Sequence, residues 1–251
     1  MLLYRQQMLQ NSRLLIFGTI GYCGVILIIL TLATFENQFR TLDPQIFFPI
    51  MAFLSISFGV LYNGYAFPAL RNKESTISYM TLPASTLEKF LLEFINRIML
   101  SILVLPILYW IMYNTSGYFM SLVLPLVDYE FVGVTVLKGE LGNMVDKPKV
   151  IAVFVSIYIL FMVLPFTGAS FFSKQPLIKT LFSLATIVIA YICMIYVVVE
   201  PLGLKNYMID DDIALIPTED NEILIFFITT IAITNLTMLT VAYLKLKEKE
   251  V

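Results

Sequence analysis

The sequence predicts an all-α integral membrane protein of six transmembrane helices, one transmembrane domain over residues 1–251, with both termini cytoplasmic. Three observations carry this. Of 251 residues, 59% are hydrophobic and 14% charged, against about half and about a quarter in a soluble domain. The excess is gathered into runs of about 20 residues, the length of helix that crosses a hydrocarbon core about 30 Å thick. Basic residues crowd one set of loops, which sets the orientation. Backbone groups in lipid must be satisfied within their own segment, so the runs are helices. The alternating ten-residue strands of a membrane barrel do not occur.

The six runs cover residues 14–35, 46–69, 91–113, 150–172, 180–199 and 223–244. The first is of full spanning length and has no A-x-A-like end, which predicts a retained helix instead of a cleaved signal. Its Gly18, Gly21 and Gly24 recur every three residues, a pattern expected to bring another helix close or, alternatively, to line a substrate path with backbone. The second run contains Pro49, Asn63 and Pro68, and its prolines are expected to kink it or make a joint into the next segment. The third carries Glu93 and Arg97 near its start, four apart and so able to pair. Such a pair is read as snorkelling and structural, or as a transmitter of motion. Pro106 and Pro165 mark expected bends in the third and fourth runs.

With the N-terminus inside, that side holds Arg5, Arg13, Arg71, Lys73, Lys89, Lys174, Lys179, Lys245, Lys247 and Lys249. The opposite side holds Arg40, Lys138, Lys147, Lys149 and Lys205. Residues 36–45 make a short outer link and 173–179 a tight inner turn. Segment 114–149 is a longer outer connection. Its apolar stretch 118–127 is too short to cross and is read as interfacial, re-entrant or an extension of the third helix. Residues 131–142 suggest a hairpin. The loop near 200–222 is acidic.

Catalytic chemistry has little to work with. The chain has no histidine, which removes His bases, His metal ligands and Ser-His-Asp triads together. Cys23 and Cys193 lie in apolar runs and read as small helix residues. No phosphate-binding glycine loop occurs, and no basic cluster with interleaved aromatics supports nucleic-acid binding. The sequence therefore predicts a non-enzyme with no cofactor or metal of its own.

The charged, punctuated segment between the second and third runs stands apart. Residues 71–81 are polar with Ile77, Tyr79 and Met80 interspersed, which suits a short amphipathic helix on the membrane surface. Pro83 discourages helix at Leu82. Ser85 followed by Glu88 has the spacing of a capping box opening a new helix. An ordinary surface linker would show much the same periodicity.

The run Tyr79-Met80-Thr81-Leu82-Pro83-Ala84-Ser85-Thr86-Leu87-Glu88-Lys89-Phe90-Leu91 resembles the LPAS-x-x-EKF segment of type-2 ABC transporter permease subunits, those of Bacteroidetes-like bacteria in particular. The six-helix plan resembles that family as well. The resemblance implies a permease of the bacterial inner membrane, working as a homodimer or with a paralogue. It implies a separate ATPase subunit that binds ATP, and export as the direction. It also implies that the segment before the third span is a coupling helix seated on the ATPase. On this chain the docking residues would be Arg71, Lys73, Glu74, Ile77, Tyr79, Leu82, Pro83, Ala84, Ser85, Glu88 and Lys89, with Glu93 and Arg97 transmitting motion. A non-transporting scaffold or sensor would use the same segment. An ion-coupled secondary transporter would need mid-membrane charges and inverted repeats, and the sequence has neither.

Overall fold

The structure is a computed structural model that describes residues 2–36, 44–71, 73–81, 84–123, 148–199 and 220–249. The expected hairpin at 131–142 and nearly all of the acidic loop at 200–222 lie outside the described residues.

Among the described residues the chain is helical. Helix α1 spans Leu2–Glu36 and α2 spans Pro44–Gly64, followed by a 3-10 turn at Pro68–Arg71. Helix α3 spans Lys73–Met80 and α4 spans Thr86–Phe94. A π-helical turn, Ile95–Met99, joins α4 to α5, Leu100–Val123. Helices α6, α7 and α8 cover Pro148–Phe171, Pro176–Val199 and Asp220–Glu248. Five stretches are long and apolar enough to cross a membrane: Leu15–Ala33, Phe47–Gly64, Thr86–Val123, Ile151–Phe171 and Leu224–Glu248. This is a multi-pass membrane protein. The remaining expected span, 180–199, falls on α7, whose described apolar stretch is the shorter Pro176–Ala190.

The boundaries correct the sequence reading in several places. The second helix ends at Gly64 instead of 69, so Pro68 opens the 3-10 turn and lies outside the helix. Between them Phe67 adopts φ 51°, a left-handed conformation that breaks the helix and is rare for a bulky residue. The third run is part of one helical rod, Thr86–Val123, about 57 Å long at 1.5 Å per residue. It therefore extends well beyond the hydrocarbon layer. Of the three readings of stretch 118–127, extension of the third helix holds as far as Val123. The inner turn shrinks to 172–175, with Gln175 at φ 50° and Pro176 starting α7 where its missing N–H has no helical partner to lose.

Helix α6 is the centre of the bundle, packing on α2, α7 and α8, while α5 packs on α1 and α2. Two cores result. The first joins α1, α2 and α5 through Tyr22, Ile26, Leu30, Phe47, Leu54, Tyr109 and Tyr113. The second lies at the end of the bundle that carries residues 65–90, here called the near end. There Phe67, Phe90, Ile98, Phe166, Ala242 and Leu246 close together. Outward-facing apolar residues are numerous, Phe17 at 72% and Phe182 at 74% exposure among them, as expected of a surface whose solvent is lipid.

Glycine packing differs from expectation. A Cβ added at Gly18, Gly21 or Gly24 would meet nothing within 4 Å, so the regular glycine stripe faces open space within this chain. Close approach occurs at isolated glycines instead. A Cβ at Gly59 would overlap Met162, one at Gly64 would overlap Leu177, and one at Gly168 would overlap Thr180. These three positions seat α2 on α6, α2 on α7 and α6 on α7.

Candidate coupling junction at the near end

The segment after α2 folds back onto the bundle instead of leaving it. Tyr65 and Ala66 close short turns onto the carbonyls of Tyr62 and Asn63. Phe67 then points inward, its ring 5.1 Å from that of Phe166 on α6. The 3-10 turn follows, and the Thr76 hydroxyl of α3 donates to the Ala69 carbonyl at 3.0 Å, which ties the short helix to it. Tyr79 on α3 is buried against the core, whereas Ile77 is 65% exposed. The short helix thus turns Tyr79 in and Ile77 out.

Helix α4 begins as its sequence dictates. Ser85 has the extended backbone of an N-cap, and its side chain accepts from the Glu88 N–H at 3.3 Å. The Glu88 carboxylate in turn accepts from the Ser85 N–H at 3.2 Å. This reciprocal box satisfies two of the helix's free donors. One turn later α4 enters the core. Phe90 packs edge-on to Phe166 and to Tyr243, with ring centroids 5.8 Å and 5.7 Å apart.

Three charged side chains follow on the buried face: Lys89, Glu93 and Arg97, each no more than 2% exposed. The Lys89 ammonium sits 5.5 Å from the centre of the Tyr79 ring, which connects α4 to α3. Arg97 Nε lies 3.5 Å from the Glu93 carboxylate. The expected pair is therefore formed, but it is enclosed by protein, and snorkelling to the interface does not describe it. The Phe67 N–H donates to the same carboxylate, and the Arg71 guanidinium lies near enough to add its charge. Arg71 itself stacks 4.4 Å over Tyr65. Partial burial pulls its pKa below the ordinary arginine value, with Arg97 acting in the same direction and Tyr65 and Glu93 opposing.

Arg97 occupies the π-helical turn, a widened turn that carries one extra residue and recurs at functional sites. Tyr62 on α2 holds this turn from two sides. Its hydroxyl donates to the Asn96 carbonyl at 3.0 Å, and its own carbonyl accepts from Arg97 Nη1 at 3.3 Å. Its ring also lies under the guanidinium, 4.6 Å from Cζ. Just above, the Asn63 amide donates to Ser101 Oγ at 3.1 Å, and Ser101 Oγ donates to the Ile98 carbonyl at 2.9 Å. The end of α2 and the start of the third span are thus joined by a polar seam. At the other side of the junction, Lys249 caps α6 by donating to the Ser170 carbonyl at 2.7 Å. Burial, and then Lys245, pulls the Lys249 ammonium below the usual lysine range.

The structure sorts the residues expected to dock a partner. Glu74, Ile77, Ser85 and Glu88 face outward, Arg71 and Ala84 are half-buried, and Tyr79 and Lys89 turn into the core. Leu82, Pro83 and the Lys73 side chain lie outside what is described. No local sequence signal marks Tyr62, Tyr65, Phe67 or the π turn as parts of this junction. Among the described residues no three His, Cys, Asp or Glu side chains gather where they could hold a metal ion, and both cysteines are free.

No family model matches the chain, and no curated protein or solved structure matches it either.

Proposed function

We propose that this chain is the membrane-spanning permease subunit of an ABC transporter in a bacterial cytoplasmic membrane. In this reading α7 supplies the fifth of six spans, the near end is cytoplasmic, and both termini lie on that side. A separate ATPase subunit binds ATP and seats on α3 and the capped start of α4. Two permease subunits, identical or paralogous, enclose the pathway, and export is the direction.

One observation carries the proposal. The segment that resembles a coupling helix is connected, residue to residue, to the beginning of the third span. Ile77, Glu74 and Glu88 are exposed on its outer side. On its inner side Tyr79 meets Lys89, and Phe67, in the turn just before the segment, meets Glu93. A push on α3 would therefore reach the Glu93–Arg97 pair and the π turn through side-chain contacts. Coupling of this kind requires that the partner's two states contact the segment differently.

The test is purification of the chain from its native membranes in mild detergent, with mass spectrometry and an ATPase assay. A stoichiometric subunit with a nucleotide-binding P-loop, lost when 71–89 is scrambled in a still-inserted protein, is the expected result. A preparation without any ATPase, from a detergent in which a known ABC complex survives, would overturn the reading.

A further inference from the structure

We propose that the cleft between α1, α2 and α5 binds a single lipid acyl chain. The cleft measures about 70 Å³ and is walled by Leu15 and Gly18 of α1, Phe58 of α2, and Val104 and Leu108 of α5. All five residues fall within stretches able to cross a membrane, Leu15 and Gly18 in the first turn of theirs, so in a bilayer the cleft opens toward the near-end part of the hydrocarbon layer. Gly18 makes the opening: a Cβ there would meet nothing within 4 Å.

The wall selects an apolar occupant. Among the described residues three polar side chains reach it, and the donor of each hydroxyl is already committed. Thr19 donates to the Leu15 carbonyl at 2.8 Å, Ser101 to the Ile98 carbonyl at 2.9 Å, and Tyr62 to the Asn96 carbonyl at 3.0 Å. Among the described residues no charged side chain lines the cleft. A polar guest would lose its water and find no side-chain donor in return.

Size and direction narrow the class further. A cavity of roughly 150 Å³ accepts benzene, and this cleft has half that volume, which suits a slender chain over a ring. It follows α5 from Leu100 to Leu108, about 12 Å of helix rise, along the direction in which acyl chains of the surrounding bilayer run. A chain in the cleft touches three helices at once, whereas a chain on a convex helix face touches one, and dispersion contacts accumulate accordingly. The inference stands whether or not the protein is a transporter.

The experiment uses the full chain reconstituted in phosphatidylcholine vesicles doped with phosphatidylcholine bearing a photoreactive diazirine in its acyl chain. After illumination, labelled positions are mapped by peptide mass spectrometry. Labelling is expected to concentrate on Val104, Leu108 and Phe58 over the lipid-facing Ile16, Ile20 and Phe182. Gly18→Phe places a ring at the mouth of the cleft and should cut labelling at Val104 and Leu108 about tenfold, the factor that excluding two methylenes from an apolar site carries. Gly21→Phe, equally unhindered and outside the cleft, should leave it unchanged. Even labelling of all lipid-facing residues in the unmodified protein would overturn the proposal, as would equal loss in the two variants. The unmodified footprint decides the matter even where a variant fails to fold.

Discussion

Arg97 lies across Tyr62, its guanidinium carbon 4.6 Å from the ring centre and its Nη1 donating to the Tyr62 carbonyl at 3.3 Å. This contact fixes the last turn of α2 against the π turn of the third span. It also presents Arg97 to Glu93 at a depth where an unpaired charge would be costly.

Removing one partner of that pair should therefore hurt more than removing both. Arg97→Met leaves the Glu93 carboxylate enclosed and is expected to destabilise by about 3–5 kcal/mol. Glu93→Leu combined with Arg97→Met should recover most of the loss, because two apolar side chains can fill the site without unmet charge. Tyr62→Phe keeps the ring and the carbonyl and loses only the hydroxyl bond to Asn96, so about 1 kcal/mol is expected. Thermal unfolding in detergent as a double-mutant cycle checks all three, and additive losses for Glu93 and Arg97 would count against the pairing.

The packing of α6 on α7 depends on the absence of a side chain at Gly168. Gly168→Ala drives a methyl into Thr180 and is expected to cost about 1–3 kcal/mol through overpacking. Thr180→Gly in the same protein should return part of that stability by clearing the space. Gly18→Ala, where the added carbon meets nothing, should be neutral or slightly stabilising, since alanine favours helix over glycine. Melting temperatures of the four proteins distinguish the two kinds of glycine.

That contrast shows where the sequence is legible. The long apolar runs announce membrane helices, because spanning length and composition are properties of the segment alone. The Ser85–Glu88 box is legible for the same reason: its bonds join residues three apart. The Glu93–Arg97 pair is readable from helix periodicity, though its enclosure is not. Gly59, Gly64 and Gly168 give no local sign, since the atoms that need their space belong to other helices. The left-handed Phe67 is likewise invisible in sequence; its conformation is held by Phe166 and by the bond from its N–H to Glu93. The π turn is hidden too, because it takes its support from Tyr62, more than thirty residues earlier.

Phe67 offers a test in which the usual order of substitutions reverses. Phe67→Ala removes a ring packed on Phe166 and should cost about 3–5 kcal/mol. Phe67→Gly removes slightly more apolar surface, yet glycine adopts a φ of 51° without the penalty of about 1 kcal/mol or more that a Cβ incurs there. The glycine variant should melt at the same temperature as the alanine variant or above it. A glycine variant clearly below alanine would mean that the left-handed turn is not retained in the folded protein.

The coupling proposal predicts two different failures on one short stretch of chain. Ile77 is an exposed apolar residue of α3, so Ile77→Asp should weaken the seat of the ATPase and reduce the amount that copurifies. Glu88 faces outward at the first turn of α4, where its carboxylate closes the capping box and favours the positive end of the helix. Glu88→Lys loses the bond to the Ser85 N–H and places like charge at that end, a local cost of about 1 kcal/mol. The ATPase should still copurify with this variant and still hydrolyse ATP, but the start of the third span would no longer follow the short helix, so hydrolysis would proceed without transport. Insertion of the spans is expected to survive both changes, because both side chains are exposed, Ile77 on a short helix and Glu88 at the outer start of the third rod. If Glu88→Lys keeps hydrolysis and transport coupled in reconstituted vesicles, the capped helix start does not transmit motion, whatever the role of Ile77.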